Sequence, residues 1–258
     1  LKAEELQSAA DKVFPPLTLI ATPIGNLADL TLRAINALRL CDTVIAEDTR
    51  RAGSLLAHLG IRKPLVSFHE HNEETRLLEL IARMGRGEKL ALVTDAGTPS
   101  VSDPGFRLVR SCIQENIAYT VLPGPSAVLA ALVGSGLPPV PFTFGGFLPS
   151  SGSGRRSELR KVAEVGTTFI CFESPHRLAA CLEDLKAIAP EAQLCVAREL
   201  TKIHEEFRRG TPGELLLHYQ EYPPRGEVTL VIAPGGDRPS GSPKKNHSEK
   251  TPMPRNLA

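Results

Sequence analysis

Apolar, β-branched runs alternate along this chain with stretches whose apolar residues recur every three to four positions. That alternation restricts the fold more than any other feature. LTLIAT (17–22), TVIAED (43–48), PLVSF (64–68), KLALVTD (89–95) and AYTVLP (118–123) read as strands. Helical spacing occupies 31–40, 50–59, 72–85, 104–115 and 125–134, as in Leu77, Leu78, Leu80, Ile81 and Met84. Strands that take turns with helices need crossover connections, which set them side by side in a parallel sheet covered on both faces.

The rhythm breaks at GSGLPPVPF (134–142), dense in Gly and Pro, which reads as a linker. It resumes with FTFGGF (142–147), a helix near 155–165, TTFICFE (167–173), a helix near 176–188, AQLCVARE (192–199), IHEEFRR (203–209), a helix near 212–221 and EVTLVIA (227–233). This half mixes paired strands with helices. The 258 residues divide on this reading into an N-terminal extension (1–16), an N-terminal α/β domain with a parallel sheet (17–136), a C-terminal α/β domain with a mixed sheet (137–236) and a basic tail (237–258). The tail's Gly, Pro, Ser and Lys cannot build a core and imply disorder.

Several function classes are excluded. The formal charge is +1, from 30 Lys+Arg against 29 Asp+Glu, so this is no general polyanion coat. The cations gather locally instead, at 50–51, 155–161 and 198–209. The longest uncharged run, 116–154, is broken by six prolines, and its apolar piece AVLAALV is far shorter than the ~20 residues a span needs. LKAEELQSAADK is charged and lacks the apolar stretch of a secretory leader. The five cysteines form no CxxC and sit in apolar or helical surroundings, as reduced buried thiols of a cytoplasmic protein would. His69 and His71 lack further His or Cys at ligand spacing, so no metal is expected. Neither GxGxxG nor GxxxxGK[ST] occurs, which argues against a dinucleotide or nucleoside triphosphate, and no GxSxG elbow is present.

In open α/β sheets, ligands lie beyond the carboxyl ends of the strands. Four such ends carry small residues and prolines: TPIGNLAD (22–29), EDTRR (47–51), DAGTPSVSDPG (95–105) and PGPSA (123–127). Each alone is a tight turn; four in phase on one sheet edge point to a ligand approached closely by backbone.

TPIGNLADLTLRA, AEDTR, SFHEHNE, TDAGTPSVSDPG, PGPSA, FGGFLP, FESPHRL, RELTKIHEEFRRG and RGEVTLVI occur in one order. Together, from Leu17 to Pro234, they resemble the ribosomal RNA methyltransferases of the tetrapyrrole methylase superfamily, the class III S-adenosylmethionine-dependent methyltransferases. The resemblance implies two α/β domains with S-adenosylmethionine (SAM) in the cleft between them, and a homodimer. It implies methyl transfer to the ribose 2′-hydroxyl of a cytidine in the decoding region of 16S rRNA, within the small ribosomal subunit. Carried onto this sequence, it places Pro23, Gly25, Asp95, Ala96, Gly97, Ser100, Ser102, Ser126, Ala127, Phe147, Phe172 and Pro234 around the cofactor. Ser150 and Ser151 follow FLP where the family usually has a basic residue, so Arg155 and Arg156 are the nearest cations there.

A ribose hydroxyl is a weak nucleophile that loses its proton during attack, and a positioned base typically adds ~10²–10⁴-fold. Asp48, Lys202 and Glu206, with Glu205 beside it, are the motif residues suited to that cleft. Arg50, Arg51, Arg155, Arg156, Arg177 and Arg198 are the candidate phosphate contacts, since Arg bonds phosphate bidentately. Phe147 and Tyr119 could stack on bases, although with aromatics at 5% core packing is the first expectation for both. Two other readings remain: a tetrapyrrole C-methyltransferase, whose usual GxGPG-type first loop is absent here, and a non-catalytic SAM-binding ribosome-assembly factor. Because neither half is strongly basic, assembled 30S particles are expected to be better substrates than free 16S rRNA.

Overall fold

The computed structural model describes residues 14–233 and 235. The tail at 237–258 and all but the last residues of the N-terminal extension lie outside them. The first half forms β1 (Leu17–Ile20), α1 (Leu32–Leu40), β2 (Thr43–Ala46), α2 (Thr49–His58), β3 (Leu65–Ser67), α3 (Glu73–Gly85), β4 (Leu90–Val93), α4 (Phe106–Gln114), β5 (Tyr119–Leu122) and α5 (Ala127–Ser135). The second forms β6 (Phe142–Phe147), α6 (Gly152–Val165), β7 (Thr168–Glu173), α7 (Pro175–Ile188), β8 (Gln193–Arg198), β9 (Glu206–Gly210), α8 (Pro212–Glu221) and β10 (Val228–Ala233).

The expected alternation is therefore present in an α/β chain. The first sheet runs β3-β2-β4-β1-β5, with every pair parallel. β1, β2 and β4 are buried at every position, which is why they read as unbroken apolar runs. Side chains such as Leu38, Val44, Leu56 and Val93 pack in one cluster against this sheet. Leu19, Ile45, Leu80 and Leu108 pack in another. The cover is incomplete at the edge strand β5, where Tyr119 and Val121 are 38% and 48% exposed.

The second sheet runs β6-β7-β10-β8-β9; only β6 and β7 are parallel. α6, α7 and α8 pack on one face through Leu159, Leu178, Leu182, Leu215 and Leu216. The opposite face receives α5. Val128, Ala131 and Leu132 sit against Ile170, Cys195 and Val231, so the helix that follows the first sheet's last strand covers the second sheet. That crossing fastens the loop after β5 between the two sheets.

Local chemistry sets the helix starts. Thr31 and Thr211 accept hydrogen bonds from Ala34 and Glu214 amides, and Glu214 closes a capping box. α6 begins at Gly152, earlier than the expected 155, because Ser151 accepts from the Gly154 amide at 3.2 Å and holds a first turn of Gly and Ser. All five cysteines are buried and free. Among the described residues, no helix is long and apolar enough to cross a membrane.

Candidate cofactor cleft and substrate site

The loops at the carboxyl ends of β1 and β4 are pinned to each other. Thr22 and Gly97 exchange both backbone hydrogen bonds, at 2.9 and 3.0 Å, and the Thr22 hydroxyl donates to the Thr94 carbonyl at 3.1 Å. Gly97 has φ +83°, a conformation a side chain would resist. Beyond it, Ser100 and Ser102 also take positive φ, at 70° and 64°. Non-glycine residues held there store strain, a feature that clusters at ligand sites.

Between the halves lies a cavity of about 400 Å³, within the usual range of small-ligand sites. The first half lines it with Ile24, Arg51, Asp95–Thr98, Val101–Asp103 and Ser126–Val128; the second with Phe147, Phe172–Pro175 and Gly226–Thr229. Two helix N-termini open onto it. Ser126 caps α5 by accepting from the Leu129 amide at 3.4 Å, and Ser174 precedes Pro175 of α7. Exposed amides at such ends favour a carboxylate. Asp95 and Glu227 offer negative charge for a sulfonium or ammonium. Ile24, Val128, Phe147 and Phe172 offer apolar surface for a ring system, the two Phe rings standing 5.4 Å apart. The residues present thus fit SAM, part for part. Phe147 is 65% exposed, against the core packing expected of it, because the strand's end projects its ring into the cleft.

Of the residues the sequence points to, Asp95, Ala96, Gly97, Ser102, Ser126, Ala127, Phe147 and Phe172 meet in this cavity. Pro23 and Gly25 do not line it. A Cβ on Gly25 would lie 2.4 Å from Lys202 Cγ and 2.9 Å from the Leu200 carbonyl oxygen, so this glycine allows a close approach between the β1 loop and the turn after β8. Pro234 lies outside the described residues. Arg51, expected at phosphate, instead lines the cavity with its Nη1 3.4 Å from Asp95 Oδ2.

The three expected proton acceptors each face opposite charge, and none lines the cavity. Asp48 receives the Arg50 side chain at 2.7 and 3.0 Å and the Arg50 amide at 2.8 Å, bonds that hold its carboxyl well below the usual range. Burial lowers the Lys202 pKa, but hydrogen bonds to Glu199 at 2.8 Å and Glu227 at 2.9 Å outweigh it and leave the ammonium favoured. Burial raises Glu206, yet bonds from Arg198 at 3.1 Å and Arg208 at 2.7 Å bring it below the ordinary value. Glu205 accepts from the Thr201 amide at 2.7 Å.

The expected phosphate contacts separate by environment. Arg155 is 7% exposed, its Nη2 2.7 Å from Asp184 Oδ2, and burial closes it to a phosphate. Arg177 is spent internally on the Leu148 carbonyl at 2.7 Å and the buried Glu173 at 2.9 Å. Arg198 is shared between Glu206 and the Arg225 carbonyl. Arg156, 3.4 Å from Asp184, and Arg50 keep exposed guanidinium surface.

A second cavity, of about 410 Å³, adjoins the first. Glu47, Glu70, Glu73, Ser100, Phe106 and Arg107 line it, and Ser102 and Asp103 belong to both cavities. Burial first, then Glu47 and Asp95, push the Asp103 carboxyl up to about 6. Burial and Asp95 also raise Glu47. Glu47, Asp103, Glu173, Ser174, Glu227 and Thr229 fall inside the motifs AEDTR, TDAGTPSVSDPG, FESPHRL and RGEVTLVI, but the sequence reading assigned none of them a role in the site. Among the described residues, no group of three or more His, Cys, Asp or Glu is placed to hold a metal ion.

The family model of the tetrapyrrole (corrin/porphyrin) methylases matches residues 16–216. The chain is 46% identical over 236 residues to ribosomal RNA small subunit methyltransferase I of Synechocystis, covering 90% of this chain and 85% of that one. It is 43% identical over 217 residues to the protein of that name from Thermotoga maritima, covering 84% and 97%. Cobalt precorrin-4 methyltransferase, a cobalamin biosynthetic enzyme, shares the fold with a TM-score of 0.63 at 17% identity, over 84% of this chain and 94% of that one.

Proposed function

Because the chain belongs to the tetrapyrrole methylase family, and within it groups with ribosomal RNA small subunit methyltransferases I, we propose that it methylates the ribose 2′-hydroxyl of a cytidine in the decoding region of 16S rRNA, using SAM. The observation that carries this reading is the cleft itself. Motif residues from four strand ends converge on one cavity whose charges and apolar walls match SAM.

SAM supplies a methyl group already activated by its positive sulfur, so the protein's task is alignment and exclusion of water. Asp95 and the α5 N-terminus orient the amino-acid part, and Phe147 and Phe172 hold the ring. We assign Asp48, Lys202 and Glu206 as positioning groups: their ion pairs fix the α2 start, the turn after β8 and the β8–β9 ladder around the cleft. Arg50 and Arg156 are the phosphate contacts with open surface. The reading includes a cytoplasmic homodimer, in which a second copy would cover the apolar strip of Tyr119 and Val121 on β5. Division into domains at 17–136 and 137–236 belongs to it too, with α5 lent to the second sheet.

The test is transfer of label from radioactive SAM to unmethylated 30S subunits, protein-free 16S rRNA or a uroporphyrinogen-type substrate. Label on a cytidine 2′-oxygen, stronger with 30S than with free RNA, is expected. Label on the tetrapyrrole alone, or SAM binding without transfer, would overturn the reading.

A further inference from the structure

We propose that Asp103 is a catalytic residue of this site, the carboxylate that takes the proton from the attacking ribose hydroxyl. The inference rests on the proposed RNA 2′-O-methylation and deepens it. Asp103 stands in the wall common to the cofactor cleft and the second cavity, so a nucleotide entering the second cavity would bring its ribose past this side chain towards the methyl donor.

Three observations single it out. First, its carboxylate has no hydrogen-bond donor or ion-pair partner among the described residues, whereas Asp48, Glu173 and Glu206 are each bound to an arginine. Second, its loop is built around an unusual backbone: Ser100 and Ser102 precede it in the left-handed region, and Gly105 follows at φ +131°. A Cβ on Gly105 would lie 2.6 Å from Ser100 Oγ, so the turn admits little rearrangement. Strain of this kind persists where the surroundings over-determine it. Third, burial first, then Glu47 from the β2 end and Asp95 from the β4 end, raise the proton affinity of Asp103. Glu70 and Glu73 line the same second cavity. The nearby cations are engaged elsewhere, Arg51 with Asp95 and Arg107 with Glu73 and Glu74. A carboxyl held near 6 is ionised at neutral pH yet basic enough to accept a proton.

The step balances. The ribose O–H bond breaks and its proton passes to Asp103. The oxygen forms its bond to the methyl carbon as the carbon–sulfur bond breaks, and that electron pair stays on sulfur. Asp103 then releases the proton to solvent through the open second cavity.

Asp103→Asn tests this with single-turnover methyl transfer to 30S, SAM titration, 30S binding and carboxyl ¹³C NMR of the free protein. Expected is a fall in transfer of at least ~100-fold with both affinities within about two-fold, the loss belonging to a general base. The wild-type rate should drop below about pH 6, the variant should lose that limb, and one carboxyl resonance titrating near 6 should vanish. Asp103→Glu should recover part of the rate. A variant rate within three-fold of wild type, or an acid limb that survives, overturns the assignment with the methyltransferase reading intact. Loss of SAM binding in both variants overturns it in favour of a structural role. Absence of transfer by the wild type removes the parent reading and this one together.

Discussion

Arg51 Nη1 lies 3.4 Å from Asp95 Oδ2, joining the start of α2 to the carboxyl end of β4 at the floor of the cofactor cleft. The Asp48 amide donates to the other Asp95 oxygen at 3.3 Å. Two motifs forty-odd residues apart are thereby one structural unit, and Asp95 presents a fixed charge to the cavity.

Asp95→Ala removes that charge and frees Arg51. SAM affinity should weaken about ten-fold, equivalent to ~1.4 kcal/mol. Isothermal titration reads this directly, and an unchanged Kd would remove Asp95 from the cofactor contacts.

Gly25→Ala tests the approach of the β1 loop to the turn after β8. The new methyl would meet the Leu200 carbonyl, which is backbone and cannot swing aside as the Lys202 stem can. The two halves should separate slightly, raising the Kd for SAM several-fold while far-UV circular dichroism stays unchanged. Wild-type affinity in this variant would show that the contact does not shape the cleft.

Arg155→Ala leaves Asp184 of α7, 9% exposed, with Arg156 at 3.4 Å as its remaining cation. Breaking a buried pair from one side costs about 3–5 kcal/mol, an upper bound where a second cation stays. Arg155→Met with Asp184→Leu should recover much of the lost stability, as read by urea midpoints. Should Arg155→Ala keep its stability and lose RNA affinity instead, the arginine acts at phosphate after all.

Glu88 ties the β4 start to α3 and β2. Arg83 Nε donates to it at 2.7 Å and the Thr43 hydroxyl at 2.8 Å. The Arg83 bond comes first among the causes that bring its carboxyl down to about 2 from 4.5. A depressed folded-state value stabilises the fold above the unfolded pKa, and that stabilisation is lost as pH falls from about 4.5 towards 2. Glu88→Gln should be less stable at neutral pH and should show a flatter stability profile across that window. Parallel wild-type and variant profiles would refute the linkage.

Much of the fold was legible in one dimension because its signals are local. Strand and helix periods at 17–122 gave elements within about two residues of those observed, and most motif residues at the strand ends do meet in the cleft. Remote charge partners were not legible. Arg155 looks like any surface cation until Asp184, twenty-nine residues on, is brought against it in the interior. The pairing of Asp48 with Arg50, two positions on, was within local reach of the sequence, whereas the Glu227 partner of Lys202, twenty-five residues on, was not.

Periodicity was thus enough to dictate an α/β chain and its parallel first sheet, and the ordered motifs carried the family resemblance, since each depends on neighbours a few positions apart. Folding alone decided that α5 covers the second sheet, that Arg51 belongs to Asp95, and that Asp103, unpaired among the described residues, stands between two cavities. Those outcomes depend on distances and desolvation between segments remote in the chain, and no local pattern of residues encodes them.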